Sequence, residues 1–253
     1  EYCIKAISLD SNNDNIKKTL SLIYLKSYNF KKAWEYFDGR LNLRDFLTKN
    51  STINLIKHKI PRNKNINKNA KILILREQGV GDEILYGTMY SDLLKEFPNI
   101  TIECDERLIQ LFKNSFCKDN EEKFVRLGLY SSDVKKINKF KHIIYAGSLG
   151  KFFRNNIKSF PNTPYLKKLQ NYSDPELNEI LKNFKGLKIG ISWRSFKNRY
   201  SLEKSLMLED FNHLFNFKNS KIFNLQYGNV DEELTNFIKK KNTKIITLKK
   251  LDL

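Results

Sequence analysis

A chain of 253 residues with 40 % hydrophobic and 13 % aromatic residues is long enough for one large domain or two modest ones, and too apolar to remain disordered. Its net charge of +18 allows a polyanionic partner, but the lysines are scattered through a Lys-, Asn- and Ile-rich chain. With neither a dedicated basic face nor a base-stacking motif in view, no nucleic-acid partner is expected.

Cys3, Cys104 and Cys117 are odd in number and far apart, which argues against a zinc site or a disulfide framework. His58, His142 and His213 show no ligand spacing. No apolar run reaches transmembrane length and no signal peptide is evident, so the expected setting is cytoplasmic, without an integral membrane segment. The absence of an initial Met and the ending Leu251-Asp252-Leu253 suggest a fragment truncated at both ends.

Residues 1 to 46 read as helical. Tyr2, Ile4, Ala6, Ile7 and Leu9 mark the end of one amphipathic helix, and Asp10-Ser11-Asn12-Asn13 forms a turn. Leu20, Leu22, Ile23 and Leu25 continue the apolar spacing. A second turn, Ser27-Tyr28-Asn29-Phe30, precedes a helix carrying Ala33, Trp34, Tyr36 and Phe37. Ala6 and Arg40 stand one tetratricopeptide period, about 34 residues, apart. The segment resembles the tail of one such repeat plus one whole repeat, with Arg40 where that family often has Ala. Residues 47 to 70 are polar and read as a linker or an arm across the next domain.

From Lys71 the pattern becomes strand alternating with helix, which predicts a parallel sheet covered by helices. Strands are expected at Lys71–Arg76, Ile100–Cys104, Phe124–Leu127 and His142–Ala146, with helices over Glu83–Phe97 and Arg107–Ser115. A second unit is expected over residues 171 to 253. Its helices are Asp174–Phe184, Leu208–Phe217 and Asp231–Lys241; its strands are Leu187–Arg194, Lys221–Leu225 and Lys244–Leu248. Three strands are too few for a complete nucleotide-binding domain.

The apolar run Ile72-Leu73-Ile74-Leu75 ends in Arg76-Glu77-Gln78-Gly79-Val80-Gly81-Asp82-Glu83. Gly79 and Gly81 permit positive φ and close backbone approach at the carboxyl end of a strand, where α/β proteins bind ligands. The third Gly of a dinucleotide fingerprint is missing. Asp82 and Glu83 would repel a phosphate at this helix N-terminus, so the turn suits an acceptor hydroxyl better. Asp82 is a candidate base and also a candidate helix cap. Ser148 and Arg154 follow a later strand and could meet an acceptor or shape their loop. Arg194, Lys197, Arg199 and Lys204 crowd one loop of the second unit. Of these, Arg194 and Lys204 are the candidates for holding an anionic group. Gln226, Tyr227 and Gly228 could meet a nucleotide. Trp34 and Trp193 read as core.

Four pieces in order carry a family resemblance. They are Trp34-Glu35-Tyr36-Phe37-Asp38-Gly39-Arg40, Glu77-Gln78-Gly79-Val80-Gly81-Asp82, Gly147-Ser148-Leu149 with Phe160-Pro161 and Tyr165-Leu166, and Gly190-Ile191-Ser192-Trp193-Arg194 with Lys204-Ser205. Asn224-Leu225-Gln226-Tyr227-Gly228 adds a weaker fifth. The chain resembles bacterial tetratricopeptide-repeat glycosyltransferases, related to the heptosyltransferase (family 9) group and more distantly to O-linked N-acetylglucosamine transferases. The resemblance implies a GT-B-like α/β fold. A Rossmann-like acceptor-side domain (71–170) and an incomplete Rossmann-like donor-side domain (171–253) would follow tetratricopeptide-like helices (1–46) and a linker (47–70).

It also implies metal-independent sugar transfer from a nucleotide-sugar, a substrate rather than a cofactor, to a protein or glycan acceptor. Asp82 would be the general base. Gly79, Gly81, Ser148, Arg194, Lys204, Gln226, Tyr227 and Gly228 would bind substrate or donor, and a protein partner could use the tetratricopeptide segment. The family's downstream Asp-Thr/Ser-x-x-x-His segment lies beyond residue 253, so part of the donor site is expected to be missing. The alternative is a non-catalytic tetratricopeptide-repeat scaffold with a silent α/β domain.

Overall fold

The computed structural model describes residues 1–49, 56, 59–61, 65–117, 122–168, 174–196 and 202–248. The chain forms two compact units, Glu1–Gln170 and Asn171–Leu253.

The first unit opens with three helices, α1 (Tyr2–Leu9), α2 (Asp14–Lys26) and α3 (Phe30–Phe37). Asn13 and Asn29 cap α2 and α3, each accepting a backbone N–H with its side chain. Tyr28 takes a positive φ in the turn between them. Phe30, Ala33 and Phe37 recur at helical spacing and bury one face of α3. A 3₁₀ turn, Asp38–Asn42, leads into α4 (Arg44–Lys49). Residues 47 to 70 lie largely outside the described residues, but Ile56, Ile66 and Ala70 are buried against the sheet. These parts therefore belong to the core rather than to a free linker.

Four parallel strands follow: β1 (Ile72–Leu75), β2 (Ile100–Cys104), β3 (Phe124–Arg126) and β4 (His142–Tyr145), in the order β3-β2-β1-β4. All four residues of β1 are buried, as a central strand covered on both faces requires. Helices α5 (Val80–Gly87), α6 (Tyr90–Glu96) and α7 (Glu106–Phe116) connect β1 to β2 and β2 to β3, and α8 (Val134–Ile137) precedes β4. One face packs Ile72, Ile74, Ile102 and Ile144 against Tyr90, Leu93, Leu108 and Phe112. The other packs Leu73, Leu75, Ile143 and Tyr145 against Leu41, Phe46, Ile56, Ile137 and Phe140. The end of the helical segment thus covers one face of the sheet.

The helix expected over Glu83–Phe97 is two helices. Arg154, which is buried, donates to the Thr88 carbonyl at 2.5 Å and to Asp92 at 2.8 Å. A carbonyl spent on Arg154 closes α5, and α6 starts at Tyr90. Another short helix, α9 (Gly150–Phe153), follows the 3₁₀ turn Ala146–Leu149. The Trp34 ring lies within 2.4–2.7 Å of where a Cβ on Gly150 would sit, so only glycine admits this contact between α3 and α9.

The second unit has α10 (Pro175–Asn183), β5 (Leu187–Ile191), β6 (Ser220–Asn224), α11 (Asp231–Lys241) and β7 (Ile245–Ile246), with a parallel sheet ordered β5-β6-β7. The helix expected at Leu208–Phe217 is a 3₁₀ segment, Leu208–Asn216. Both units are mixed α/β with parallel strands, the Rossmann-like arrangement. Among the described residues no helix is long and apolar enough to cross a membrane.

In a 3-2-1-4 sheet the connections diverge between β1 and β4, where doubly wound proteins open a crevice at the strands' carboxyl ends. Here that place is filled from within. Arg40 donates Nε to Glu77 Oε2 at 2.9 Å and Nη2 to Glu77 Oε1 at 2.7 Å. It also donates to the Phe37 carbonyl, Asp38 and Ser148. Gly147 N–H donates to Glu77 at 2.5 Å, and a Cβ on Gly147 would stand 2.5 Å from that same carboxylate oxygen. Lys151 donates to Asp38 at 2.8 Å and to the Pro61 carbonyl at 3.2 Å. Burial pushes the Asp38 carboxyl up, but the Lys151 and Arg40 charges outweigh it and hold Asp38 below the usual carboxylate range.

Arg40 and Glu77 are both buried, so removing one partner strands a charge. Arg40→Met or Glu77→Met alone is expected to destabilise the first unit by about 3–5 kcal/mol, and the double variant by less than the sum. Urea unfolding followed through Trp34 fluorescence in a Trp193→Phe background measures both; strict additivity would show the pair to be uncoupled. A depressed folded-state pKa for Asp38 contributes stability that is present above the unfolded value near 3.8 and lost as pH falls through the lower folded value. The stability difference between wild type and Asp38→Asn is therefore expected to be full at pH 7 and smaller at pH 3. A difference that grows toward acid contradicts this assignment.

Candidate functional site

At the carboxyl end of β1 the chain passes through Arg76 and Glu77 and reverses at Gln78, whose φ is +65°. Gly79 begins α5 as its N-cap with φ −102°, so the positive φ expected of the glycines belongs to Gln78 instead. The reason lies in its neighbours. Glu77 is fixed by Arg40 and Gly147, and the Gln78 carbonyl accepts from Arg76 at 3.0 Å. The chain must turn between those two anchors, at a left-handed cost of about 1–2 kcal/mol.

Asp82 is the third residue of α5. Its Oδ2 accepts the Gly79 N–H at 3.0 Å, the reach-back bond of a capping box. Its Oδ1 has no partner among the described residues. Gly81 is exposed, and a Cβ built there meets nothing within 4 Å. A half-exposed carboxylate therefore stands beside open space at the end of the central strand. Tyr86 lies four residues on, on the same side of the helix. Burial, with the Glu77 charge, pushes its phenol well above the ordinary range, so it remains a donor at neutral pH. Sequence reading missed Tyr86; its spacing from Asp82 was the available signal.

A second polar group at this sheet end also went unread. Arg76 Nε meets Glu83 Oε1 at 2.8 Å, and Arg76 Nη1 meets Asp105 at 3.3 Å. Glu83 is fully buried and accepts the Asp105 N–H at 2.9 Å. Burial raises the Glu83 carboxyl more than that N–H and the Arg76 charge lower it. Arg107 hydrogen-bonds Asp105 at 2.8 Å and, as the largest cause, holds its carboxyl at about 2. The cluster ties the first turn of α5 to the end of β2.

Ser148 is buried in the Arg40 network. Its hydroxyl donates to Asp38 at 2.7 Å and accepts from Arg40 at 2.9 Å. Arg154 donates to Asp92 and to the Thr88 carbonyl, while its buried Nε has no hydrogen-bond partner among the described residues. Both shape the loop after β4.

In the second unit, Gln226 follows β6 and is buried. Its Oε1 accepts from Trp193 N–H at 2.8 Å and Arg194 N–H at 2.7 Å, while its Nε2 donates to the Arg194 and Tyr227 carbonyls. Gln226 is the clamp of the loop after β5. Tyr227 is partly exposed; its hydroxyl accepts from Phe196 N–H at 3.1 Å and its ring packs edge-on against Phe196. Gly228 adopts φ +81°, and a Cβ there would press on the Phe196 ring.

Glu233, in the first turn of α11, accepts the Trp193 Nε1–H at 3.0 Å and pairs with Arg194 at 2.7 Å. Arg194 and Glu233 line an open cavity of about 430 Å³ with Asn229, Val230, Glu232 and Asn236. Lys204 is exposed on a short 3₁₀ turn, and Leu206 N–H donates to the Trp193 carbonyl, which holds that segment beside the Arg194 loop. Lys197 and Arg199 lie outside the described residues.

The structure therefore gathers Gly79, Gly81, Asp82 and Tyr86 at one open turn of the first unit. It gathers Arg194, Lys204, Gln226, Tyr227 and Gly228 around one loop pair of the second. The first group can accept a proton and donate a hydrogen bond. The second presents Arg194, paired with Glu233, in a polar cavity also lined by Glu232 and two amides, which suits a hydroxyl-bearing ligand. Among the described residues no three side chains of metal-binding type come together.

Gln226→Glu keeps the acceptor but sets a carboxylate oxygen against two carbonyls. It is expected to destabilise the second unit by about 1–3 kcal/mol. Urea unfolding followed through Trp193 fluorescence in a Trp34→Phe background measures this, and an unchanged midpoint rejects the clamp. No protein-family model, no curated protein and no solved structure matched the chain, so the functional reading rests on its own residues.

Proposed function

We propose that this chain is the catalytic part of a glycosyltransferase that moves a sugar from a nucleotide-sugar to a protein or glycan acceptor. The observation that carries the reading is Asp82: a carboxylate in the first turn of α5, just past the end of the central strand, with one oxygen tied to Gly79 N–H and the other without a partner among the described residues. Sugar transfer needs a base at the acceptor hydroxyl and stabilisation of the leaving diphosphate. In this reading the free Asp82 oxygen takes the hydroxyl proton. The capping bond fixes the carboxylate's orientation, which is how a base is held ready. Tyr86 offers a hydrogen bond to the acceptor. In the second unit Arg194 and Lys204 hold the diphosphate, and the cavity beside Arg194 takes the hydroxyl-bearing part of the donor. The reading fits two parallel-sheet α/β units with polar groups at their strand ends, and a GT-B arrangement of the two belongs to the same proposal.

One observation favours a second reading, a scaffold with a silent α/β domain. Ser148 and Gln226, which follow β4 and β6, spend their side-chain hydrogen bonds inside the protein. The two readings part on turnover. The full-length protein containing this chain is incubated with a panel of nucleotide-sugars, and release of the nucleoside diphosphate is followed. Wild type is expected to turn over one donor, and Asp82→Asn to lose about 10²–10⁴-fold in rate while keeping donor affinity. Equal rates remove Asp82 as the base; no turnover of any donor, with no nucleotide bound, favours the scaffold.

A further inference from the structure

The amino end of the first sheet lies opposite the turn at Asp82, and nothing in the glycosyl-transfer reading uses it. The residues that lead into β1, β2, β3 and β4 meet there around an open cleft of about 460 Å³. Lys71 precedes β1, Thr101 sits near the start of β2, Lys123 precedes β3 and Lys139 precedes β4. The Tyr130 and Phe140 rings, edge to face at 5.1 Å, add an apolar portion to the lining. These residues are far apart in the sequence, which is why the lysines look scattered there.

Most donors of this cleft carry no internal hydrogen bond among the described residues. Lys123 is committed to the Pro98 carbonyl at 2.5 Å. The Lys71 and Lys139 ammonium groups, the Thr101 hydroxyl and the Tyr130 hydroxyl have no partner among the described residues. Among the described residues Glu122 is the one acid in the lining, so three ammonium groups there face one carboxylate. Lys59, which donates to the Phe140 carbonyl at 2.7 Å, adds another cation beside the cleft. Lysines near helix carboxyl ends also complement helix dipoles. That role requires neither a cleft nor uncommitted hydroxyl groups beside the ammonium groups.

We infer that the cleft at the amino end of the first sheet is a binding site for a phosphate group, held by Lys71 and Lys139 with Thr101 and Tyr130 as hydroxyl donors. Ammonium groups suit phosphate as point charges, and hydroxyl donors complete its shell of oxygens. Two sources carry this chemistry, a soluble phosphate ester and a phosphomonoester lipid headgroup. The site is independent of Asp82 and Arg194, so its test does not depend on sugar transfer.

The test measures binding of inorganic phosphate by calorimetry, and of phosphatidylcholine vesicles containing one-fifth phosphatidic acid by co-sedimentation, both at 150 mM NaCl. Wild type is expected to bind at least one probe saturably. Lys71→Gln/Lys139→Gln is expected to weaken that binding at least tenfold, and Lys158→Gln, a basic position outside the cleft, to leave it unchanged. Phosphate binding alone identifies a soluble ester; vesicle binding, with or without phosphate binding, identifies the headgroup. The proposal is overturned if neither probe binds, or if the cleft double variant and Lys158→Gln weaken binding equally, which is the signature of unspecific attraction to a basic protein. Because both lysines are exposed, circular dichroism of the double variant should match wild type. Thr101→Val/Tyr130→Phe is the second variant; weakened phosphate binding with both lysines intact separates a formed site from net charge, and unchanged binding removes the hydroxyl shell.

Discussion

The Arg40–Glu77 ion pair is the constraint on which the first unit depends. A buried arginine and a buried carboxylate, removed from water, stabilise the fold only when every donor and lone pair around them is engaged. Here the guanidinium reaches Glu77, Asp38, Ser148 and the Phe37 carbonyl, while Glu77 also accepts from Gly147. Those partners come from the end of α3, the turn after β1 and the loop after β4. Three segments distant in sequence are thereby fixed to one another at the carboxyl end of the sheet. The helical segment is consequently part of the α/β unit, and its last turn does the work that an ordinary doubly wound domain leaves to a ligand crevice.

This closure redirects the functional reading. With the place between β1 and β4 filled by Arg40, the open chemistry at this sheet end moves outward to Gly79, Gly81, Asp82 and Tyr86. The strained residue is Gln78, caught between an anchored Glu77 and a carbonyl held by Arg76. Non-glycine residues rarely keep a left-handed conformation unless their surroundings over-determine it, and such positions gather at functional turns. The rigidity given by the ion pair is the same property a positioned carboxylate needs.

Most of the fold was legible in the sequence because periodicity survives without knowledge of partners. The apolar run Ile72–Leu75 read as a strand, and Ala33 and Phe37 as residues of one helix; Phe30, read as a turn residue, instead opens that helix and joins its buried face. What was not legible depends on pairings across long separations. Arg40 looked like a departure from a repeat pattern, because its partner lies 37 residues away. The break between α5 and α6 was hidden for a like reason: Arg154, 66 residues further on, takes the Thr88 carbonyl. Ser148 and Gln226 were placed at the right ends of their strands. Position along a strand says which edge of the sheet a residue occupies; it does not say whether the side chain spends its hydrogen bonds inward or outward.

That distinction separates the candidate residues by chemistry. Gln226 has two donors and one acceptor oxygen, and the protein uses its amide on four backbone groups, leaving little for a ligand. Asp82 has two oxygens and spends one. Arg194 keeps a partly exposed guanidinium, though Glu233 holds one of its nitrogens. A ligand at Arg194 must therefore either share the guanidinium with Glu233 or displace it. Sharing needs a group that can meet a cation and a carboxylate side by side, which a molecule bearing both phosphate and hydroxyl groups satisfies and a bare phosphate does not. The acidic neighbour thus filters what the basic residue can bind, and it does so in a cavity whose other polar members, Asn229 and Asn236, can both donate and accept. At the cleft at the amino end of the first sheet, Lys71 and Lys139 are not paired with a carboxylate among the described residues, and the selection falls on charge and hydroxyl donors instead.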